Sequence, residues 1–103
     1  MTTYLDTFSI AASHPALAGH FPDNPVVPGV VILDEVVNIV KKHAPEIEIT
    51  GIAAVKFARP LLPEQVVTVQ LQQKNGETIK FTCQHAEQNV VAGQFTVTTK
   101  AAR

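Results

Sequence analysis

The longest apolar stretch of the chain, residues 30–43, places apolar side chains on almost every side of a helical repeat. It has the length of a helix, two lysines and a histidine close its last turn, and Pro45 follows it. Asp34 and Glu35 fall in its early turns, where the helix dipole favours acidic residues. The pattern therefore predicts one largely buried α-helix.

Most of the remaining chain alternates apolar and polar side chains over short runs, which is typical of strands. The predicted strands are residues 4–10, 52–58, 66–72, 79–85 and 90–98. Asn75-Gly76 is a strong hairpin signal, and the turn-forming residues 87–89 separate the last two runs. One long helix and a series of short strands predict an α+β fold, in which the helix packs on an antiparallel sheet.

Composition restricts the class of protein. A chain of 103 residues, 46% of them hydrophobic, has room for a single domain over residues 1–103, and so small a domain gains burial from a partner subunit. The net charge of -1 and the lack of a long basic run argue against nucleic-acid binding. No segment reads as a signal peptide or a membrane span, so a cytoplasmic protein is expected. One cysteine excludes an internal disulfide.

A loop over residues 14–29 holds four of the seven prolines, and loops longer than about 12 residues are usually functional. Residues 19–34 read GHFPDNPVVPGVVILD and lead from this loop into the helix. They resemble the active-site signature of the FabZ/FabA-type 3-hydroxyacyl-acyl-carrier-protein dehydratases. In that family a GHFP loop and a PxxPG turn precede a central helix, and a carboxylate follows the histidine by fourteen positions, as Asp34 follows His20. Residues 56–60, KFARP, resemble the family's next strand.

The resemblance implies a hot-dog fold, an antiparallel sheet wrapped around one long helix, and a homodimer or higher even-numbered oligomer whose subunits pair their sheets side by side. It also implies that His20 of one subunit faces Asp34 of the other. The implied reaction dehydrates a 3-hydroxyacyl thioester of acyl carrier protein or coenzyme A to the trans-2-enoyl thioester, in fatty-acid or related lipid or polyene biosynthesis.

Dehydration needs a base for the weakly acidic C2 proton and an acid for the departing hydroxyl. His20 suits the base, whereas Asp34, on an apolar helix, is expected to be desolvated and protonated, as an acid must be. The N–H of Gly29 is the expected donor to the thioester oxygen, as in the resembled family. A loop histidine bonded to backbone and a helix acid stabilised by the dipole are the alternative interpretations of His20 and Asp34.

An acyl-binding role and ordinary core packing remain equal alternatives for several apolar residues. The expected acyl-binding residues are Phe21, Val27, Pro28, Leu33 and Val37. Lys56 and Arg59 are either solvated strand residues or a docking site for an acidic carrier protein or the phosphopantetheine phosphate.

The remaining histidines, His14, His43 and His85, are expected to face solvent. They show no metal-ligand spacing, and the reaction needs neither metal nor cofactor.

Departures from the family pattern leave the substrate open. Asp34 stands where glutamate is common, Glu35 follows it, and Asn38 replaces a usual glutamine. These changes and the short chain indicate a specialised member, and whether it also isomerises the double bond stays open. A hot-dog acyl thioesterase and a non-catalytic acyl-binding subunit of a dehydratase complex are the rival functions.

Overall fold

The computed structural model describes residues 2–17 and 26–100. In these ranges it contains five strands, one α-helix and a short 3-10 turn at Pro15–Leu17. The elements in chain order are β1 (Thr2–Phe8), α1 (Gly29–His43), β2 (Ile47–Phe57), β3 (Val67–Gln73), β4 (Thr78–His85) and β5 (Gln88–Thr99). The described part has no helix long and apolar enough to cross a membrane.

All five strands join one antiparallel sheet in the order β1-β3-β4-β5-β2. The first two strands therefore lie at opposite edges, and the segment that contains α1 carries the chain from one edge to the other. The β2–β5 pairing is irregular at two points, between Ile49 and Gly51 and between Ile52 and Ala54. The predicted α+β architecture with an antiparallel sheet is confirmed.

The core lies between α1 and one face of the sheet. Alternate residues of β3 and β4 are buried, and Phe81 stacks on Phe95 with ring centroids 4.7 Å apart. The buried residues of the helix are Val31, Ile32, Val36, Ile39 and Val40. They belong to the same hydrophobic cluster as the buried strand residues, so the sheet covers one side of the helix and leaves the other uncovered.

Several boundaries differ from the sequence prediction. Strand β2 begins at Ile47, five residues before the predicted start. The last hairpin turns at Ala86 and Glu87, with φ of 51° and 66°, rather than at residues 87–89. Positive φ at both central residues matches the twist of a two-residue hairpin, and such turns usually contain Asn, Asp or Gly, which is why Ala86-Glu87 does not read as a turn in the sequence. No acid lies in the first turn of α1, because the helix begins at Gly29 and Asp34 falls in its second turn.

The predicted hairpin at Asn75-Gly76 is confirmed between β3 and β4. The Asn75 side-chain oxygen accepts hydrogen bonds from the N–H groups of Glu77 at 2.8 Å and Thr78 at 3.1 Å. An asparagine that bonds the backbone two residues ahead is the usual way in which this residue type fixes a turn.

The end of α1 is tied to edge strand β1 by Asp6. Its carboxylate accepts hydrogen bonds from His43 Nε2 at 2.9 Å, Lys42 Nζ at 3.0 Å and the N–H of Thr7 at 2.8 Å. The His43 ring also packs against the Tyr4 ring, with centroids 5.3 Å apart. The expectation that His43 faces solvent is therefore wrong. The bonds from His43, Thr7 and Lys42 hold the pKa of Asp6 well below its ordinary value of 3.8.

Replacing Asp6 by asparagine is expected to lower the thermal stability in a pH-dependent way. A carboxyl whose pKa is lowered by folding stabilises the native state fully above its unfolded pKa, and this contribution is lost as the pH falls through the folded pKa. The difference in melting temperature between wild type and Asp6→Asn should therefore be at its full value above about pH 5 and shrink progressively as the pH falls below about 4. Lys42→Met, which removes only an exposed partner, should have a smaller effect. A difference that does not vary with pH contradicts this account.

Candidate active site

The start of α1 is built by a proline and a glycine. Pro28 is the N-cap residue with φ −60° and ψ 144°, and its carbonyl accepts a hydrogen bond from the N–H of Val31 at 3.0 Å. The N–H of Val27 donates to the carbonyl of Leu61 at 2.8 Å, which fixes the approach to the helix. Within the described residues no hydrogen bond engages the N–H of Gly29. This N–H and the helix dipole together suit an oxygen that gains negative charge.

A cavity of about 400 Å³ opens beside this helix start. Its lining residues are Val26, Val27, Gly29, Ile32, Phe57, Ala58, Arg59, Pro60 and Leu61. The ring of Phe57 lies directly against Gly29, because a Cβ placed on Gly29 would stand only 2.7 Å from Phe57 Cζ. Apolar walls with few polar groups are typical of a site for an apolar ligand that is oriented at one end.

Asp34 lies on the uncovered side of α1 and is exposed. Val30, one turn before it, is also exposed, and the half-buried Leu33 and Val37 flank it on the helix surface. In the single chain the apolar helix therefore does not desolvate the carboxyl group, which corrects the expectation from the sequence. Desolvation of Asp34 requires a further surface over this side of the helix.

One chain does not bring Gly29 and Asp34 together. Positions five residues apart on an α-helix are separated by about 7.5 Å along the axis and by about 140° around it. The Gly29 end of the helix opens into the cavity beside Phe57, whereas the Asp34 side chain points to the uncovered side of α1. His20 lies outside the described residues, so its pairing with Asp34 stays a prediction.

The predicted acyl-binding residues lie in different parts of the structure. Val27 is buried and lines the cavity beside Gly29, and Pro28 is partly buried at the helix start. Leu33 and Val37 are half-buried and pack against the core, which fits the core-packing alternative. Val37 also lines a separate cavity of about 390 Å³. Its other lining residues are Val40, Lys41, Ile47, Glu48, Ile49 and Lys100. Phe21 lies outside the described residues.

Lys56 and Arg59 lie on different parts of the surface. Lys56 is exposed and pairs with Ala92, a position that faces away from the helix. Arg59 follows the end of β2, lines the cavity beside Gly29, and donates from Nη1 to Gln88 Oε1 at 2.5 Å. Of the two cations, Arg59 is the one beside the cavity.

The remaining histidines of the described part have local partners. His14 Nδ1 accepts a hydrogen bond from the N–H of Ala16 at 3.0 Å, and His85 Nδ1 lies 2.8 Å from the carbonyl oxygen of Val66. The expectation that they simply face solvent is corrected, because both are only partly exposed. Neither lines the cavity beside Gly29. Over residues 2–17 and 26–100, no three potential metal ligands cluster.

Cys83 is not a candidate nucleophile. Its side chain is buried in the core, and burial raises the pKa of its thiol to about 12. A thiol with so high a pKa is protonated at neutral pH, and only the thiolate is nucleophilic. Covalent catalysis through cysteine is therefore disfavoured.

Of the nine residues that line this cavity, Val27, Gly29 and Arg59 are predicted from the sequence. Phe57, which lies against Gly29, is among those that are not. It belongs to the KFARP segment, in which the sequence-based prediction concerns only the two cations. The available signal was its place at the end of an alternating strand, where an apolar residue turns towards the helix.

A family model described as ApeI-like, ApeI dehydratase, matches residues 2–94. The chain belongs to the ApeI-like family. One curated relative of this ApeI-like chain is the 3-hydroxyacyl-[acyl-carrier-protein] dehydratase FabZ of Ehrlichia chaffeensis, with 29% identity over 93 residues, 82% of this chain and 65% of the relative. The chain spans 56 to 65% of the length of this and two further curated FabZ relatives. The predicted membership of the FabZ/FabA-type dehydratases is confirmed.

Two solved structures show the fold of the ApeI-like chain. The dehydratase heterocomplex ApeI:P from Xenorhabdus doucetiae aligns with a TM-score of 0.82 and 21% identity, over 93% of this chain and 87% of that one. The (R)-hydratase from A. caviae involved in PHA biosynthesis aligns with a TM-score of 0.76 and 14% identity, over 95% and 94%. Thioesterases share the fold at TM-scores of 0.62 to 0.67. The predicted hot-dog fold is confirmed, and the fold alone does not choose between these reactions.

Proposed function

We propose that the chain dehydrates a 3-hydroxyacyl thioester to the trans-2-enoyl thioester. The observation that carries the proposal is the start of α1, where Gly29, within the His20-to-Asp34 signature, lines a mainly apolar cavity and has an N–H without a hydrogen-bond partner among the described residues. Membership of a dehydratase family supports the choice of reaction. A thioesterase would need the same oxyanion donor but has no need of an acid for a 3-hydroxyl group.

Each site residue takes one step of the reaction. The thioester oxygen accepts a hydrogen bond from the N–H of Gly29, which stabilises negative charge as C2 loses its proton. His20 takes that proton, and Asp34 donates a proton to the 3-hydroxyl group, which leaves as water. The electron pair of the broken C2–H bond forms the C2–C3 double bond, so the products are water and the 2-enoyl thioester.

A second subunit completes the site in this proposal. Strand β2 is an edge strand, and Ile52, Val55 and Phe57 on its helix side are 53%, 39% and 48% exposed. An unpaired edge that carries apolar side chains favours pairing with another chain, and an identical chain pairs by a two-fold axis. Such a dimer covers the side of α1 that carries Val30 and Asp34. It thereby supplies the desolvation that the acid role of Asp34 requires.

Incubation with 3-hydroxybutyryl carrier protein should yield a product lighter by one water in mass spectrometry. Asp34→Asn cannot donate the proton, and His20→Ala removes the base, so each should lower the rate by at least about a hundredfold. Glu35→Gln, beside the acid, is the matched control and should retain activity. Release of free thiol without the enoyl product supports the thioesterase instead and contradicts the proposal.

Mixing the two inactive variants should restore activity if the site is shared. A mixed dimer of His20→Ala and Asp34→Asn subunits contains one site with both residues intact. Random subunit exchange should therefore recover about a quarter of the wild-type rate. Subunit exchange is followed by native mass spectrometry, and full exchange without recovery contradicts the shared site.

A different partner subunit is the second candidate arrangement. The related structure from Xenorhabdus doucetiae is a dehydratase heterocomplex, so a chain of this family also assembles with a different subunit. An inactive homodimer that gains activity only with a second hot-dog subunit supports this arrangement and makes the present chain a partner-dependent subunit.

We propose that Lys56 and Arg59 recognise the acidic carrier protein. Reversing both charges should lower kcat/KM for a carrier-linked substrate by about tenfold, because charged residues at an interface rim mainly affect association. The rate with a short N-acetylcysteamine thioester should fall less, because this substrate makes no contact with a carrier protein. Lys74→Glu/Lys80→Glu, which alters the net charge equally in the β3–β4 turn and on β4, is the control. Equal loss with both substrates contradicts the docking role.

A further inference from the structure

The ring of Phe57 lies against Gly29, the first residue of α1. It is the last residue of β2, and its pairing with Val91 turns its side chain to the helix side of the sheet. Its ring atoms Cζ and Cε1 lie 2.7 and 2.9 Å from the position that a Cβ on Gly29 would take. The Cβ position and the backbone nitrogen are bonded to the same Cα. The ring therefore stands beside the N–H of Gly29.

A thioester bound at Gly29 must pack against this ring. Its oxygen accepts from the N–H, so C1 and C2 come to lie next to the occupied Cβ position. One hydrogen on C2 faces the base that removes it. The other substituent on C2 then points to the space beside Gly29. The ring of Phe57 already fills this space. A hydrogen fits there, and a methyl group requires the ring to move.

We propose that Phe57 is a specificity-determining residue that excludes 3-hydroxyacyl thioesters with a methyl branch at C2; the inference rests on the proposed dehydration. A 2-methyl-3-hydroxyacyl thioester still has the one hydrogen on C2 that the reaction removes. Its exclusion is therefore steric rather than chemical. Loss of this hydrogen and the 3-hydroxyl group as water gives the 2-methyl-2-enoyl thioester, with no further reactant.

The test compares kcat/KM for 2-methyl-3-hydroxybutyryl and 3-hydroxybutyryl N-acetylcysteamine thioesters. Removing the ring in Phe57→Ala should raise the ratio of branched to unbranched substrate by about tenfold, the usual discrimination for one carbon in an apolar pocket. Phe57→Leu should give an intermediate ratio. Leu5→Ala removes another exposed apolar side chain, from β1 at the opposite edge of the sheet, and should leave the ratio unchanged.

The outcomes separate this inference from the proposed function. A wild type that dehydrates the unbranched substrate, with a ratio unchanged in Phe57→Ala, overturns the role of Phe57 and leaves the reaction standing. A wild type that dehydrates neither substrate overturns the proposed function. In that case, calorimetry with unreactive pantetheine amide analogues of the two substrates tests the steric role of Phe57. A relative affinity for the branched amide that rises about tenfold in Phe57→Ala supports the steric wall, and an unchanged relative affinity or no binding refutes it.

Discussion

The packing of one face of α1 against the sheet is the interaction on which the other features depend. Full burial of an apolar side chain contributes about 1.5–3 kcal/mol, and five such residues of α1 are buried. Their sum is comparable with the net stability of a typical domain, about 5–15 kcal/mol. The helix therefore cannot rotate or slide without a large loss. Its first residue, Gly29, is held beside the end of β2, and Asp34 is held on the uncovered side.

The same packing leaves the single chain with a divided site. Gly29 lines one cavity, and Asp34 lies on a different side of the helix. Both regions adjoin exposed apolar side chains, Phe57 near the first and Val30 near the second. A surface that covers these side chains has two effects at once, because it removes apolar area from water and desolvates the carboxyl group. In the proposed mechanism, assembly and acid catalysis would therefore be coupled.

The sequence predicted the helix and most strands because their patterns are local. The start of β2 was missed although Ile47 and Ile49 alternate with polar residues, because Pro45 and Gly51 on either side indicate a break. The bonds of His43 were not predictable, because Asp6 lies far away in the sequence. For the site, the motif indicated residue types and spacing. Exposure of Asp34 depends on which side of the helix the sheet covers, and no local pattern contains that information.

The glycine at the start of α1 shows why residue types predict a reaction more readily than a substrate. From the sequence, Gly29 needed no side chain because a carbonyl group must approach its N–H. The structure adds a second reason, because the ring of Phe57 fills the place of a side chain. These requirements act together, since a residue with a Cβ would displace the ring and alter this wall of the cavity. The proposed reacting groups were predicted from the sequence around the helix start, whereas the shape of the cavity depends on the end of β2, a strand that reaches this position only through the fold.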